Sequence, residues 1–300
     1  MTGAPVLVLA ASLAAAASAP EVRVFSRARQ PGEALLVAVS GHHPAREPSG
    51  RWGADALPFF RCAAGGPGAA SATYLAIAGI DLEAPAGRRA LDLSLVDAAG
   101  AARPYRKVLE VRRKRFPTRR LKVAPGFVEL AAADLQRAEA EARRLNALYR
   151  TAAPARWFDG SFVMPVLGAR TTSRFGERSV FNGQARAPHG GADIRASTGT
   201  AIRAPQGGKV VVAEDMFFQG KAVMLDHGRG LTSVYAHLSE LRVPVGARVR
   251  AGDVLGLAGA TGRATGAHLH WSVRVGAARV DPASVMGLPL DRWLRDCPLR

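Results

Sequence analysis

Three hydrophobic patterns follow one another along the 300 residues. From residue 20 to residue 118, short apolar runs alternate with turn residues. Gln30-Pro-Gly32 precedes Ala34-Leu-Leu-Val-Ala-Val39, Ala72-Thr-Tyr-Leu-Ala-Ile-Ala78 ends at Gly79, and Ala90-Leu-Asp-Leu-Ser-Leu-Val96 alternates with period two before Asp97-Ala-Ala-Gly100. Successive side chains of a strand point to opposite faces, so strands punctuated by Gly and Pro turns at this spacing predict a small β-sandwich, closed by a last strand over Tyr105 to Arg113.

The period then changes. Leu130, Leu135, Ala138, Ala142, Leu145 and Leu148 recur near 3.6 residues, with Glu139, Glu141, Arg143 and Arg144 on other faces, which predicts a helix over Val128 to Arg150. Its stripe is thin and rich in alanine, as expected of a strut between two domains. The basic stretch before it, Arg112 to Val123, contains Pro117 and so cannot be one continuous helix; it reads as a solvated linker. From Trp157 onward Gly becomes frequent and the pattern is β again. Lys209-Val-Val-Val-Ala213, Ala222-Val-Met-Leu-Asp226 and Leu231-Thr-Ser-Val-Tyr-Ala-His237 predict successive strands of an antiparallel, barrel-like sheet. The expected architecture is mainly β, with a β-sandwich-like domain over 20–118, linker and helix over 119–156, a β barrel-like domain over 157–285 and a tail over 286–300.

Composition adds compartment and partners. Val6 to Ala17 is a short apolar run ending in small residues, with Ala15-Ala-Ala17 and Ala17-Ser-Ala19 resembling cleavage sites, so residues 1–19 read as a signal peptide of an exported protein. The run falls short of the roughly 20 apolar residues of a membrane span. A net charge of +17, from 41 basic and 24 acidic side chains, suits an anionic wall polymer or membrane surface. Export removes nucleic acid from the expected partners, and an Ala/Arg/Gly-rich composition can equally come from a biased genome. Cys62 and Cys297 lie so far apart that their spacing gives no more reason to pair them than to leave two thiols.

The chemistry concentrates in the last third. His189-Gly-Gly-Ala-Asp193, Tyr235-Ala-His237-Leu238 and His268-Leu-His270 hold four of the seven histidines. An open catalytic zinc site takes three imidazole or carboxylate ligands and keeps a fourth position for water. His189, Asp193 and one histidine of the 268/270 pair would supply that set. Residues i and i+2 of a strand share a face, so both imidazoles of His-Leu-His can enter one pocket with Leu269 behind them. Gly190 and Gly191 argue against a helix between His189 and Asp193. His42 and His43, in a polar loop, read as solvated side chains, and His227 as a structural residue at a turn. Tyr235, two residues before His237, would share its strand face. Arg178 and Asn182 are candidates for lining a substrate groove. Val249-Arg-Ala-Gly-Asp-Val-Leu-Gly256 looks like a carrier-barrel strand, but neither Lys209 nor Lys221 lies in an attachment motif.

At these residues the chain resembles the M23 family of zinc metallopeptidases, the lysostaphin and LytM type that cut peptide bonds in bacterial cell wall. The resemblance runs over residues 157–285 and is carried by Ser173-Arg-Phe-Gly176, Pro188-His-Gly-Gly-Ala-Asp-Ile194, Gly199-Thr-Ala-Ile-Arg-Ala-Pro205, Gly208-Lys-Val210, Asp226-His-Gly228, Tyr235-Ala-His-Leu238, Gly259-Ala-Thr-Gly262 and Ala267-His-Leu-His-Trp271. It implies metal ligands at His189, Asp193 and His270, one zinc per chain, and catalytic roles for His237 and His268. It also implies a peptidoglycan substrate, a periplasmic or envelope location and the possibility of a regulatory protein partner. Some relatives are non-catalytic wall-binding proteins or activators of wall amidases, which is the alternative reading.

Overall fold

The apolar run Ala34 to Val39 is buried on both faces, and this decides how the front of the molecule is built. The computed structural model describes residues 19–62, 71–122, 130–151, 153–173, 175–295 and 297; all but the last residue of the expected signal peptide lie outside them. In front are strands β1 (Glu21–Phe25), β2 (Ala34–His42), β3 (Ser49–Trp52), β4 (Asp55–Ala56), β5 (Phe60–Cys62), β6 (Ala72–Gly79), β7 (Gly87–Val96) and β8 (Ala102–Val111). They form two four-stranded sheets, ordered β1-β2-β6-β5 and β4-β3-β7-β8. Leu35, Val37 and Val39 of β2 pack with Tyr74, Ala76 and Ala78 of β6 against Leu91, Leu93 and Leu95 of β7. The intervening residues Ala34, Leu36, Ala38, Leu75 and Ile77 face the other way, into a core shared with Phe158, Phe162, Val273 and Val275 of the later half. A sheet covered on both sides requires near-continuous apolar strands, whereas β7 alternates because its outer face meets water.

Strand β9 (Thr118–Leu121) and helix α1 (Ala132–Arg150) lead to β10 (Thr171–Ser173), β11 (Arg178–Phe181), β12 (Gln184–Ala185), β13 (Ala192–Ile194), β14 (Ala201–Arg203), β15 (Gly208–Met216), β16 (Gly220–Gly228), β17 (Leu231–Leu241), β18 (Arg248–Val249), β19 (Val254–Ala258), β20 (Leu269–Val275) and β21 (Ala278–Val280), followed by short helices α2 (Pro282–Met286) and α3 (Leu290–Leu294). Ten of these strands form one sheet, with the path β10-β13-β20-β17-β16-β15-β18 and branches through β14, β19 and β21. The protein is mostly β, as its periodicity predicts, and the later sheet does not close into a barrel. No described helix is long and apolar enough to cross a membrane.

Specific polar contacts hold the front and later halves together. Arg279 pairs with Asp81 at 2.7 Å and Glu83 at 2.8 Å. Arg27 reaches both Glu33 and Asp281 at 2.8 Å. Gly79 lies so close to β21 that a Cβ there would sit 2.7 Å from the Cβ of Ala278. Cys62 and Cys297, separated by 235 residues, form a disulfide with Cα atoms 4.6 Å apart. Sequence spacing gave no reason to join them; packing of β5 against the segment after α3 does.

Two elements differ from their expected roles. The basic stretch expected to be a solvated linker supplies β9, which pairs in parallel with β11, Arg119 opposite Ser179. Phe116 anchors it edge-on to Phe175, with ring centroids 6.3 Å apart, and the Pro117 carbonyl accepts the Arg178 N–H at 2.9 Å. Helix α1 is described from Ala132, its expected start at Val128 lying outside the described residues. It covers the back of the later sheet. Leu145 and Tyr149 pack on Val212, Met216, Met224 and Val234, while Leu135 stays 48 % exposed. Tyr149 supplies the bulk that the alanine-rich stripe lacks, and the Arg274 guanidinium lies 4.1 Å from its ring centre.

Candidate active site

Strands β13 and β20 run antiparallel with Asp193 directly opposite His270. Such cross-strand partners present neighbouring side chains on one face, and His270 Nδ1 lies 2.9 Å from Asp193 Oδ1. His189 approaches along a turn that precedes β13: its N–H donates to the Glu177 carbonyl at 2.9 Å and its carbonyl accepts from the Gly176 N–H at 2.8 Å. Its Nε2 lies 3.1 Å from Asp193 Oδ1 and 3.0 Å from His270 Nδ1. Between them, Gly191 has no room for a side chain, since a Cβ would meet the Trp271 carbonyl at 2.6 Å and His270 Nε2 at 2.8 Å.

Protons alone cannot satisfy this triangle. The carboxylate oxygen only accepts, and each ring nitrogen of a neutral imidazole either donates or accepts. If both nitrogens donate, two N–H groups face each other; if either accepts, its lone pair faces the carboxylate. A cation between the three atoms removes the conflict. An ion bound tetrahedrally at about 2.0–2.1 Å sets its ligands about 3.3 Å apart, so the observed separations need open by only a few tenths of an ångström. The carboxylate and two imidazoles are also the donor types that zinc takes in catalytic sites, and the residues therefore fit the metal. Among the described residues this is the one cluster of three or more such side chains.

The electrostatics favour the same use. Burial works to raise the Asp193 pKa, but hydrogen bonds from His189 and His270 outweigh it and hold the carboxyl well below its usual range. Burial lowers the His270 pKa, which keeps the ring neutral, the form with a lone pair for a metal.

Two further histidines face the cluster. His268 immediately precedes β20, and its Nδ1 donates to the Gly266 carbonyl at 2.8 Å, leaving Nε2 3.7 Å from Asp193 Oδ1. His237 lies where β17 bulges against β16. Its φ of 65° is in the left-handed region, uncommon for a residue with a Cβ. Its N–H donates to the Gln219 carbonyl at 2.7 Å, and Nδ1 donates to the Thr261 carbonyl at 2.9 Å. The ring centre is 4.8 Å from that of His268. Burial lowers its pKa to about 4, against the opposing hydrogen bond to Thr261. Both rings thus turn Nε2 toward the cluster with Nδ1 as the protonated nitrogen. Leu269, between His268 and His270, is fully buried behind them.

The bulge at His237 breaks the alternation, so Tyr235 does not share its face. Tyr235 is fully buried, and its hydroxyl lies 2.8 Å from Ser233 Oγ. Ser233 Oγ in turn lies 2.7 Å from His227 Nε2, and His227 Nδ1 donates to the Gly207 carbonyl at 2.7 Å. His227, expected as a structural residue at a turn, is instead a fully buried residue inside β16, and burial lowers its pKa to about 4. His42, expected in solvent, is buried on β2, where Nε2 accepts the Val96 N–H at 2.9 Å.

A cleft of about 500 Å³ opens from the cluster, with His189, Asp193 and His268 in its wall. The three side chains stay about one-fifth exposed, at 21 % for His189 and His270 and 23 % for Asp193. Arg178 and Asn182 are not among the lining residues. Glu177, Ser179 and Phe181, of the opposite strand phase, line it with Arg119 and Arg186. Glu-Arg-Ser-Val-Phe over 177–181 has no polar–apolar alternation to say which phase faces the cleft, and no local signal pointed to Arg119.

The family model described as Peptidase family M23 matches residues 187–282. A solved structure from Pseudomonas aeruginosa titled as a peptidase M23 superposes with a TM-score of 0.63 at 31% identity, covering 86% of this chain and 95% of that one. The DD-carboxypeptidase/endopeptidase Mpg of Neisseria meningitidis is 37% identical over 126 residues, 42% of this chain and 29% of Mpg. The peptidoglycan DD-endopeptidase ShyA of Vibrio cholerae is 36% identical over 107 residues, 35% of this chain and 25% of ShyA. The aligned stretch thus spans less than a third of the length of these curated relatives.

Proposed function

Because the chain belongs to peptidase family M23, we propose that it is an exported zinc metalloendopeptidase that hydrolyses peptide bonds in peptidoglycan cross-links or stem peptides. The observation that carries this reading is the unsatisfiable triangle of His189, Asp193 and His270, open to a cleft and faced by two more imidazoles. Residues 157–285 form the peptidase unit and 20–118 the front sandwich. The disulfide supports an oxidising compartment, since structural disulfides persist there and are rare in the cytosol.

His189 Nε2, Asp193 Oδ1 and His270 Nδ1 would hold the zinc. Bound there, zinc would polarise the scissile carbonyl and bring the pKa of an attacking water toward neutrality. His237 and His268 do the proton work. Each has its Nδ1–H committed to a backbone carbonyl, so Nε2 is free to take the water's proton and pass it to the leaving amine. Burial lowers the pKa of His237, so its ring is neutral at pH 7 and the Nε2 lone pair is unprotonated. The protonated ring then lies beside the oxygen that gains negative charge and stabilises it.

The test is mass spectrometry of fragments released from isolated sacculi by the zinc-loaded protein and by His237→Ala. Wild type should bind about one zinc per chain and release peptides, and the variant should keep the zinc while losing about 10²–10⁴-fold in rate. Sacculi left intact by fully loaded wild type would overturn the reading.

A further inference from the structure

The cleft holds a row of side chains that the metal chemistry does not use. Strand β11 is the middle strand of a three-stranded sheet, with β9 on one side and β12 on the other. Ser179 of β11 has Arg119 of β9 as its partner in register. On its other side, the Arg186 N–H donates to the Ser179 carbonyl at 2.8 Å. Arg119, Ser179 and Arg186 therefore lie side by side across the sheet, and all three line the cleft that holds His189, Asp193 and His268. Adjacent strands are about 4.8 Å apart, so the two arginine backbones sit about 10 Å apart with the hydroxyl between them. Both side chains can reach one group placed over Ser179.

The charge of this wall is uneven. Two guanidiniums face one acidic lining residue, Glu177, apart from Asp193, which is engaged with the histidines. Arg263 adds to the positive field, since Arg186 is one of the charges that lower its pKa, after burial. Arg119 makes no salt bridge within the described residues. A planar guanidinium binds a carboxylate through two parallel hydrogen bonds, and a pair flanking a hydroxyl matches one carboxylate better than any apolar or cationic group.

We propose that Arg119 and Arg186, with the Ser179 hydroxyl between them, form a carboxylate-binding subsite, so that the segment joining the front sandwich to the peptidase unit selects peptides carrying a free carboxylate beside the scissile bond. This rests on the peptidase reading and adds to it the class of substrate. It also gives β9 a function: Arg119 comes from a segment that precedes the peptidase unit in sequence and reaches the cleft only because β9 pairs with β11. Arg120, next in the same strand, is not among the lining residues.

The experiment uses the full chain loaded with zinc and two synthetic cross-linked stem-peptide dimers, identical except that one has its free carboxylates converted to carboxamides. Wild type should prefer the acid dimer by about tenfold or more in kcat/KM, the size expected of a charge-assisted bidentate contact. In Arg119→Gln that preference should fall to within about twofold, through KM, with Arg119→Lys in between because it keeps the charge and loses the fork. Arg120→Gln, which tests for disturbance of β9 itself, should retain the wild-type preference. An unchanged acid preference in Arg119→Gln, or none in wild type that cleaves both dimers, overturns the subsite. If wild type cleaves neither dimer, the peptidase reading is what fails. Calorimetric binding of the two dimers to wild type and Arg119→Gln then decides the subsite by itself: equal affinities of wild type for acid and amide overturn it.

Discussion

The ring of His237 and the backbone of Thr261 are hydrogen-bonded, Nδ1 to carbonyl oxygen, at 2.9 Å. Thr261 is itself pinned: its hydroxyl accepts the Lys221 N–H at 2.9 Å and donates to the Leu238 carbonyl at 2.7 Å. One side chain thus braces both the strand after His237 and the loop that orients its ring. Thr261→Val should keep the shape and lose the brace, lowering kcat by about 10- to 100-fold with little change in KM, the usual size for outer-shell orienting groups. Thr261→Ser should restore most of the rate. Steady-state kinetics on a peptide dimer, with zinc content measured alongside, check this.

Gly191 sets how closely His189 and His270 approach. A Cβ there would overlap the Trp271 carbonyl at 2.6 Å and His270 Nε2 at 2.8 Å, both on the neighbouring strand. Gly191→Ala should push β20 away and open the triangle of His189, Asp193 and His270. The expected result is zinc affinity weaker by about 10- to 100-fold, read by competition with a chromophoric chelator. Gly190→Ala, where the nearest atom is Arg279 Cδ at 3.8 Å, should bind zinc as wild type does.

Buried His227 should make stability depend on pH. Burial lowers its pKa to about 4 in the folded chain, against about 6.5 when unfolded. Between those values the unfolded state binds the proton and the folded state does not, so the contribution of His227 is complete above about pH 6.5 and is lost as pH falls toward 4. The full span corresponds to roughly 3 kcal/mol. Urea midpoints at pH 7 and pH 4.5 should differ less in His227→Gln than in wild type. Equal differences would show that His227 does not carry this dependence.

The Cys62–Cys297 bridge closes a loop of 235 residues between β5 and the C-terminal segment. Cys62→Ala with Cys297→Ala should lower the unfolding free energy by about 2–5 kcal/mol, seen as a lower urea midpoint under oxidising conditions. Wild type in dithiothreitol should approach the variant.

Much of the architecture was legible in the chain. The period-two run Ala90 to Val96 is a half-exposed strand, and the apolar run Lys209 to Ala213 forms the middle of β15. His189, Asp193, His237, His268 and His270, picked out by residue type and spacing, gather in one cluster, three of them in the wall of one cleft. This works because strand alternation and metal-ligand chemistry act over a few neighbouring residues, and two residues apart on a strand means the same face wherever the strand lies.

Tertiary structure decided the rest. Whether Ala34 to Val39 is covered on one face or two, whether Cys62 meets Cys297, and whether the basic stretch around Arg119 stays in solvent or becomes the wall of a cleft all depend on partners far along the chain. Nothing in the local pattern encodes them. The His237 bulge is of the same kind: alternation assigns Tyr235 and His237 to one face, and only the register of β17 against β16, with the Gln219 and Thr261 carbonyls to receive the displaced residue, turns one into the core and the other toward His268 and His270. The sequence by itself determined which residues are capable of the chemistry and which apolar runs are strands. The packing of distant strands determined which of those residues meet, because that choice rests on the summed burial and hydrogen bonding of the whole fold.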